Sequence, residues 1–267
     1  MPEDMRAGQP VHWRTFGAGP APALLLHCAL GQSKAWTPLA EALGDLWTAA
    51  APDMPGHGQS GPWDGQSDLH DLVTAIAETF VTGPLHLVGH SFGATVALRL
   101  AEAMPQNVRS LTLIEPVLFA AAREAAPEAF AARLADEEAV AEAARAGDWA
   151  LAAQRFTARW GAGPGWDKLP GKARDKLAAQ MPLVRSTGPA LYDDSKGLLV
   201  SGALERVTAP VRLIRGADTD PAVAAIHAGL MARLPDARET VVPGAGHMVP
   251  LTHASEVAKV LRGDLAG

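Results

Sequence analysis

Four short apolar runs in the first half of the chain show no polar alternation: "ALLLH" at Ala23 to His27, "WTAAAPD" at Trp47 to Asp53, "LHLVG" at Leu85 to Gly89 and "SLTLIEP" at Ser110 to Pro116. Successive side chains of a strand point to opposite faces, so a strand with one wet face must alternate. A run that is apolar throughout is covered on both faces, as in a parallel sheet. Helical stretches separate the runs: Trp36 to Leu43, Asp68 to Val81 with apolar residues at 69, 72, 73, 76 and 80, and Phe92 to Met104, stopped by Pro105. That succession predicts an α/β fold, a mostly parallel sheet with helices on both faces.

The rhythm breaks between residues 117 and 207. An Ala-, Glu- and Arg-rich helical stretch, "AAREAAPEAFAARLADEEAVAEAARAGDWALAAQRFTARW", is followed by the Gly/Pro-rich "GAGPGWDKLPGKARDKL". Sheet-type segments resume with "PVRLIRG" at Pro210 to Gly216, a helix from about Ala222 to Leu234, "RETVVPG" at Arg238 to Gly244 and a last helix from Ala254 to Arg262. The expected organisation is a core built from residues 1–116 and 208–267, with residues 117–207 inserted as a helical cap over one end of the sheet.

A chain of 267 residues, 48% hydrophobic, can fill one such core. Its 23 basic and 29 acidic residues give a net charge of -6, which carries no footprint for nucleic acid or an anionic membrane and leaves a small-molecule substrate as the expected partner. The single cysteine, Cys28, excludes an internal disulfide framework and a cysteine zinc site. The N-terminal "MPEDMRAGQP" lacks the basic start and apolar stretch of a signal peptide, and no apolar run is long enough to span a bilayer. A cytoplasmic, soluble protein is expected, as monomer or homo-oligomer.

Between the run ending at Gly89 and the helix beginning at Phe92 stands "GHSFG", residues 89 to 93. A G-x-S-x-G set between strand and helix implies a sharp turn that lifts Ser91 over the sheet edge, with glycines where neighbouring elements leave no room. The following helix directs its amide dipoles at the serine, favouring negative charge there. Ser91 is therefore the candidate nucleophile. A serine hydroxyl needs a base within reach, itself oriented by a carboxylate. His247, in the glycine-rich "VVPGAGHMVPLTH" after the last strand, is better placed as that base than His27, His57, His86, His90 or His253. Three carboxylates compete to orient it. Asp220 and Asp218 lie in "GADTDPAV" after the strand "VRLIRG", and Glu115 ends "LTLIEP"; Asp220 is the expected acid, Glu115 and Asp218 the alternatives. For the developing oxyanion, the backbone amides of Phe92 and of Ala29, in the loop "CALGQSKAW", are the expected donors. Cys28 beside Ala29 reads as a small buried filler.

These segments together resemble the α/β-hydrolase superfamily. Four of them carry the likeness, in the family's order: "LLLHCALGQSKAW" at 24 to 36, "DMPGHGQS" at 53 to 60, "GHSFG", and "GAGHMVPLTH" at 244 to 253. Two departures stand out: Cys28 follows His27 where the family usually has glycine, and the acid loop carries two aspartates where one is usual. The resemblance implies a serine hydrolase working by acyl transfer to water, without metal or cofactor, and makes residues 117–207 the cap domain. Phe119, Phe130, Trp149, Phe156, Trp160, Trp166 and Tyr192 could then line an apolar pocket for a small to medium ester or lactone. The same serine, histidine and acid would also serve a carbon–carbon bond hydrolase or lyase, with Arg123, Arg155 or Arg159 meeting a substrate carboxylate, or a slow-turnover ligand receptor.

Overall fold

The computed structural model describes residues 3–265. Eight strands, β1 (Glu3–Arg6), β2 (Gln9–Phe16), β3 (Ala21–Leu26), β4 (Trp47–Pro52), β5 (Leu85–His90), β6 (Val108–Ile114), β7 (Val211–Gly216) and β8 (Ala237–Val242), form one sheet in the order β1-β2-β4-β3-β5-β6-β7-β8. The six strands from β4 to β8 in that order are parallel, and β2 joins them antiparallel through β4. β1 and β2 did not stand out as apolar runs in the sequence because they form the sheet edge. The burial of "QPVHWRTF" is confined largely to Val11 and His12, so no long buried stretch marks it.

Helices α1 (Thr37–Leu43), α2 (Leu69–Glu78) and α3 (Phe92–Ala103) follow β3, β4 and β5. Between β6 and β7, α4 (Ala122–Ala125), α5 (Pro127–Arg145), α6 (Trp149–Trp160), α7 (Gly171–Ser186) and α8 (Gly188–Tyr192) appear with no strand among them, and α9 (Pro221–Met231), α10 (Val249–Thr252) and α11 (Ala254–Leu265) complete the chain. One sheet face packs on Leu39, Leu43, Val257 and Leu261 of α1 and α11. The other packs on α2, α3 and α9 through Val73, Leu98 and Ile226. Both faces are therefore dry, which is why the central strands read as unbroken apolar runs. The helices between β6 and β7 hold a small apolar cluster of their own, with Val140 and Ala143 of α5, Ala152 and Ala153 of α6, and Met181 of α7.

Register sets what stands at the carboxyl edge. His90 pairs with Ile114 and Ile114 with Ile214, so Ser91 and Glu115 leave neighbouring strands side by side. The Ser91 amide donates to the Ile114 carbonyl at 2.9 Å and the Glu115 amide to the Ile214 carbonyl at 2.8 Å. Ser91 turns the chain from β5 into α3 at φ 56°, ψ −118°, a conformation that costs a non-glycine residue about 1–3 kcal/mol. Close backbone approach on either side enforces it. A Cβ on Gly93 would lie 2.2 Å from the Leu26 carbonyl oxygen, and one on Gly89 would lie 2.4 Å from the Gly93 oxygen. Because the obstruction is backbone, Gly93→Ala is expected to cost about 3 kcal/mol and to lower the thermal midpoint by roughly 10 °C, read by circular dichroism melting.

Candidate active site

Three side chains meet where β5, β6 and the loop after β8 converge. The Ser91 hydroxyl lies 3.0 Å from His247 Nε2, and His247 Nδ1 lies 2.9 Å from Glu115 Oε2. With the proton on Nδ1 donated to the carboxylate, Nε2 is free to accept from the serine. All three residues are buried, Glu115 completely. Its second oxygen, Oε1, accepts the Gly216 amide at 2.7 Å, while Oε2 also accepts the Thr219 hydroxyl at 2.6 Å. The carboxylate thus has no water to satisfy it and four protein lone-pair positions, three of them filled.

Glu115, and not Asp220, stands behind His247. Asp220 caps α9, accepting the Ala222 amide at 2.8 Å, and its other oxygen takes Arg159 Nε at 2.6 Å and Arg133 Nη1 at 3.4 Å. That carboxylate is committed to a helix N-terminus and two guanidiniums, while His247 Nδ1 bonds to Glu115. Asp218 is exposed, and its amide holds the Ala245 carbonyl at 2.9 Å. Thr219, between the two aspartates, is the residue of that loop that reaches the site; its hydroxyl type was the available signal.

Two further residues hold His247 in place. His90 Nε2 donates to the His247 carbonyl at 2.9 Å, the rings of the two histidines lie 5.2 Å apart, and Trp160 of α6 presents itself edge-on to His247 at 4.6 Å.

Opposite Ser91, the loop after β3 is tied to the segment 53–60. Leu30 donates its amide to His57 Nε2 at 3.1 Å, Met54 donates to His27 Nε2 at 3.0 Å, and Asp53 accepts the amides of Ser33 at 2.6 Å and Gln59 at 2.9 Å. The Gly31 amide is bonded to the Cys28 carbonyl at 3.0 Å. The next two amides are so engaged, and Ala29 borders both cavities at Ser91. Phe92, as the first residue of α3, has an amide with no partner inside its helix. Leu30 itself sits at φ 60°, so the turn is held in shape by its partners. Cys28 is buried and its thiol is pushed up to about 12 by that burial, which keeps it a neutral filler.

Of the aromatic residues between β6 and β7, Phe119, Phe156, Trp160 and Tyr192 border cavities at Ser91 and Trp166 borders the larger one. Phe130 instead packs under Arg123, and Trp149 is largely outside the core.

The α/β hydrolase family model matches residues 23–260. The chain is an α/β hydrolase. A 2-(acetamidomethylene)succinate hydrolase from Mesorhizobium japonicum is 31% identical over 88% of this chain and 84% of its own length. Lipase LipV from Mycobacterium tuberculosis is 38% identical over 112 residues, but the match spans only 42% of that protein. Among solved structures, the enol-lactonase from Burkholderia xenovorans superposes with a TM-score of 0.72 at 18% identity, covering 100% of both chains. This α/β hydrolase is accordingly an enzyme of the hydrolase class. No helix among the described residues is long and apolar enough to cross a membrane.

The neutral histidines of this hydrolase make its stability pH-dependent. Burial, reinforced by neighbouring histidines, pushes His57 and His90 down to about 3. Both are neutral when folded, whereas the unfolded chain binds a proton on each below its ordinary value of about 6.5. Their contribution is complete above that value and is lost as pH falls toward 3. Each removes about 1.4 kcal/mol per pH unit within this window. Urea midpoints between pH 7 and about 5, above the range in which carboxylates titrate, should fall as pH is lowered through 6; a flat profile there would contradict two neutral buried imidazoles.

Proposed function

We propose that this α/β hydrolase is a serine hydrolase that cleaves a carboxylic ester or lactone through an acyl-enzyme, with Ser91 as nucleophile, His247 as general base and acid, and Glu115 as the orienting carboxylate. The observation that carries the reading is the unbroken hydrogen-bond chain from Ser91 Oγ through His247 to Glu115, standing at the edge of an accessible cavity of about 810 Å³. Ser91 Oγ bonds to the carbonyl carbon as its proton passes to His247 Nε2. The oxyanion is met by the amides of Ala29 and Phe92. When the tetrahedral species collapses, the bond to the alcohol oxygen breaks and His247 returns the proton to that oxygen. Water then adds to the acyl carbon, giving its proton to His247, and the acid departs as Ser91 regains a hydrogen. Glu115 stabilises the transient imidazolium without itself taking the proton.

Residues 117–207 act in this reading as a cap whose Trp160 closes over His247. The cap is held to the core by Arg133 and Arg159 on Asp220 and by Gln180 on the Gly56 carbonyl at 2.9 Å. A lactone or ester is favoured over a ketone carrying a carboxylate because none of the cap arginines Arg123, Arg155 and Arg159 borders the cavities at Ser91. Arg123 binds the Tyr192 carbonyl, Arg155 the Ala139 carbonyl and Arg159 Asp220.

With 2-naphthyl esters as substrates, Ser91→Ala is expected to abolish turnover, and Glu115→Gln to lower kcat on the order of 10⁴-fold. Asp220→Asn should keep kcat within about tenfold but melt earlier, since buried Arg133 would keep only Asp136 as a carboxylate partner, at a cost of about 2 kcal/mol. If Asp220→Asn loses activity as Glu115→Gln does, the assignment of the acid is wrong.

A further inference from the structure

Two cavities meet at Ser91, and they differ in which catalytic groups they touch. The larger one, about 810 Å³, has His247 in its wall and runs out past Leu30, Trp166 and Leu251. The smaller, about 40 Å³, borders Ser91, Ala29 and Phe92 but not His247. In the proposed reaction the leaving oxygen must receive its proton from His247, so the alcohol lies on the His247 side. The acyl group then lies on the other side, next to the oxyanion amides. A volume of about 40 Å³ corresponds to roughly three water-sized groups.

The small cavity is not uniformly apolar. Val117, Phe119, Trp160 and Leu191 form walls, and Glu137 of α5 enters among them. Its Oε1 is paired with Arg185 of α7 and the Tyr192 hydroxyl also bonds to the carboxylate; of about four acceptor positions, two are left to accept from a ligand. Burial pushes the Glu137 carboxyl up, against the pull of Arg185 and Arg133. The pair is partly open, with side-chain exposures of 32% for Arg185 and 19% for Glu137, so the carboxylate can be reached from the cavity.

We propose that the small cavity is the acyl site, that it takes an acyl group of roughly three heavy atoms beyond the carbonyl ending in a hydrogen-bond donor, a hydroxyl or amide N–H, and that Glu137 selects that donor. The bulk of the substrate, its alcohol portion, occupies the large cavity. This assignment rests on Ser91 being the nucleophile. A short acyl tail without a donor would leave the Glu137 oxygen buried against a methyl group, which is the source of the discrimination.

The test uses 2-naphthyl esters of 3-hydroxypropanoate, butanoate and octanoate, the first two nearly equal in size. kcat/KM is measured on unlabelled wild type, Glu137→Leu and Glu137→Gln, and a separate sample of each is treated with a fluorophosphonate probe to establish that Ser91 is reactive. In the wild type, kcat/KM for butanoate should exceed that for octanoate on the order of 100-fold, and 3-hydroxypropanoate should exceed butanoate roughly tenfold. Glu137→Leu should invert the second ratio, while Glu137→Gln, which keeps a carbonyl acceptor, should retain part of it. Equal or better use of octanoate overturns the acyl site. A hydroxyl preference unchanged in Glu137→Leu overturns the role of Glu137, and should that variant not fold, the wild-type ratios and Glu137→Gln decide. Labelled Ser91 with the wrong selectivity strikes this assignment alone, whereas absence of labelling strikes the serine-hydrolase reading beneath it.

Discussion

The carboxyl edge of β5, β6 and β7 is where this fold concentrates its constraints. Pairing of His90 with Ile114 and of Ile114 with Ile214 delivers Ser91 and Glu115 at the same height on adjacent strands, each with its amide bonded to the next strand. The backbone leaves β5 so abruptly that α3 begins at the following residue, and the close approach of Gly93 to the β3 end leaves no room for relaxation. Strain at Ser91 is sustained because the sheet, the helix and the β3 loop are each held by their own packing. His247 needs only to be brought to that edge by the loop after β8, which Ala245, bonded through its carbonyl to Asp218, and His90 do from opposite sides.

Exclusion of water is the second theme. Glu115 is fully buried yet bonded to an amide, a hydroxyl and an imidazole, so its charge is stabilised by fixed dipoles that need not reorganise. The supporting histidines do the opposite job. His27, His57 and His90 are kept neutral by burial and serve as rigid donor–acceptor links between backbone segments. Such links hold the loop after β3 against the segment 53–60 beside Ser91.

Much of the architecture was legible from the run-and-helix rhythm, because strands dry on both faces leave continuous apolar segments. β1 and β2 were not, being an edge ribbon with little buried surface. At the site, "GHSFG" marked Ser91 because only a strand-to-helix turn with backbone crowding on both sides requires those glycines. His247 followed from its place after the last strand. The carboxylate was harder: Asp220, Asp218 and Glu115 all follow strands at the same edge, and one-dimensional order does not say which side chain turns inward. The helix cap and the Arg133 and Arg159 pairings that occupy Asp220 come from α9, α5 and α6, which meet only in three dimensions.

Local sequence determined the alternation of buried strands and helices, the sharp turn at Ser91 and the helical character of residues 117–207, since each depends on neighbours a few positions apart. Tertiary structure alone decided that Glu115 and not Asp220 faces His247, that Thr219 and His90 hold the pair in place, and that Trp160 and Glu137 stand over Ser91. Those outcomes depend on strand register and on the packing of the helices between β6 and β7 against the sheet edge, and residues 104, 132 and 156 positions apart cannot signal them to one another until the chain has folded.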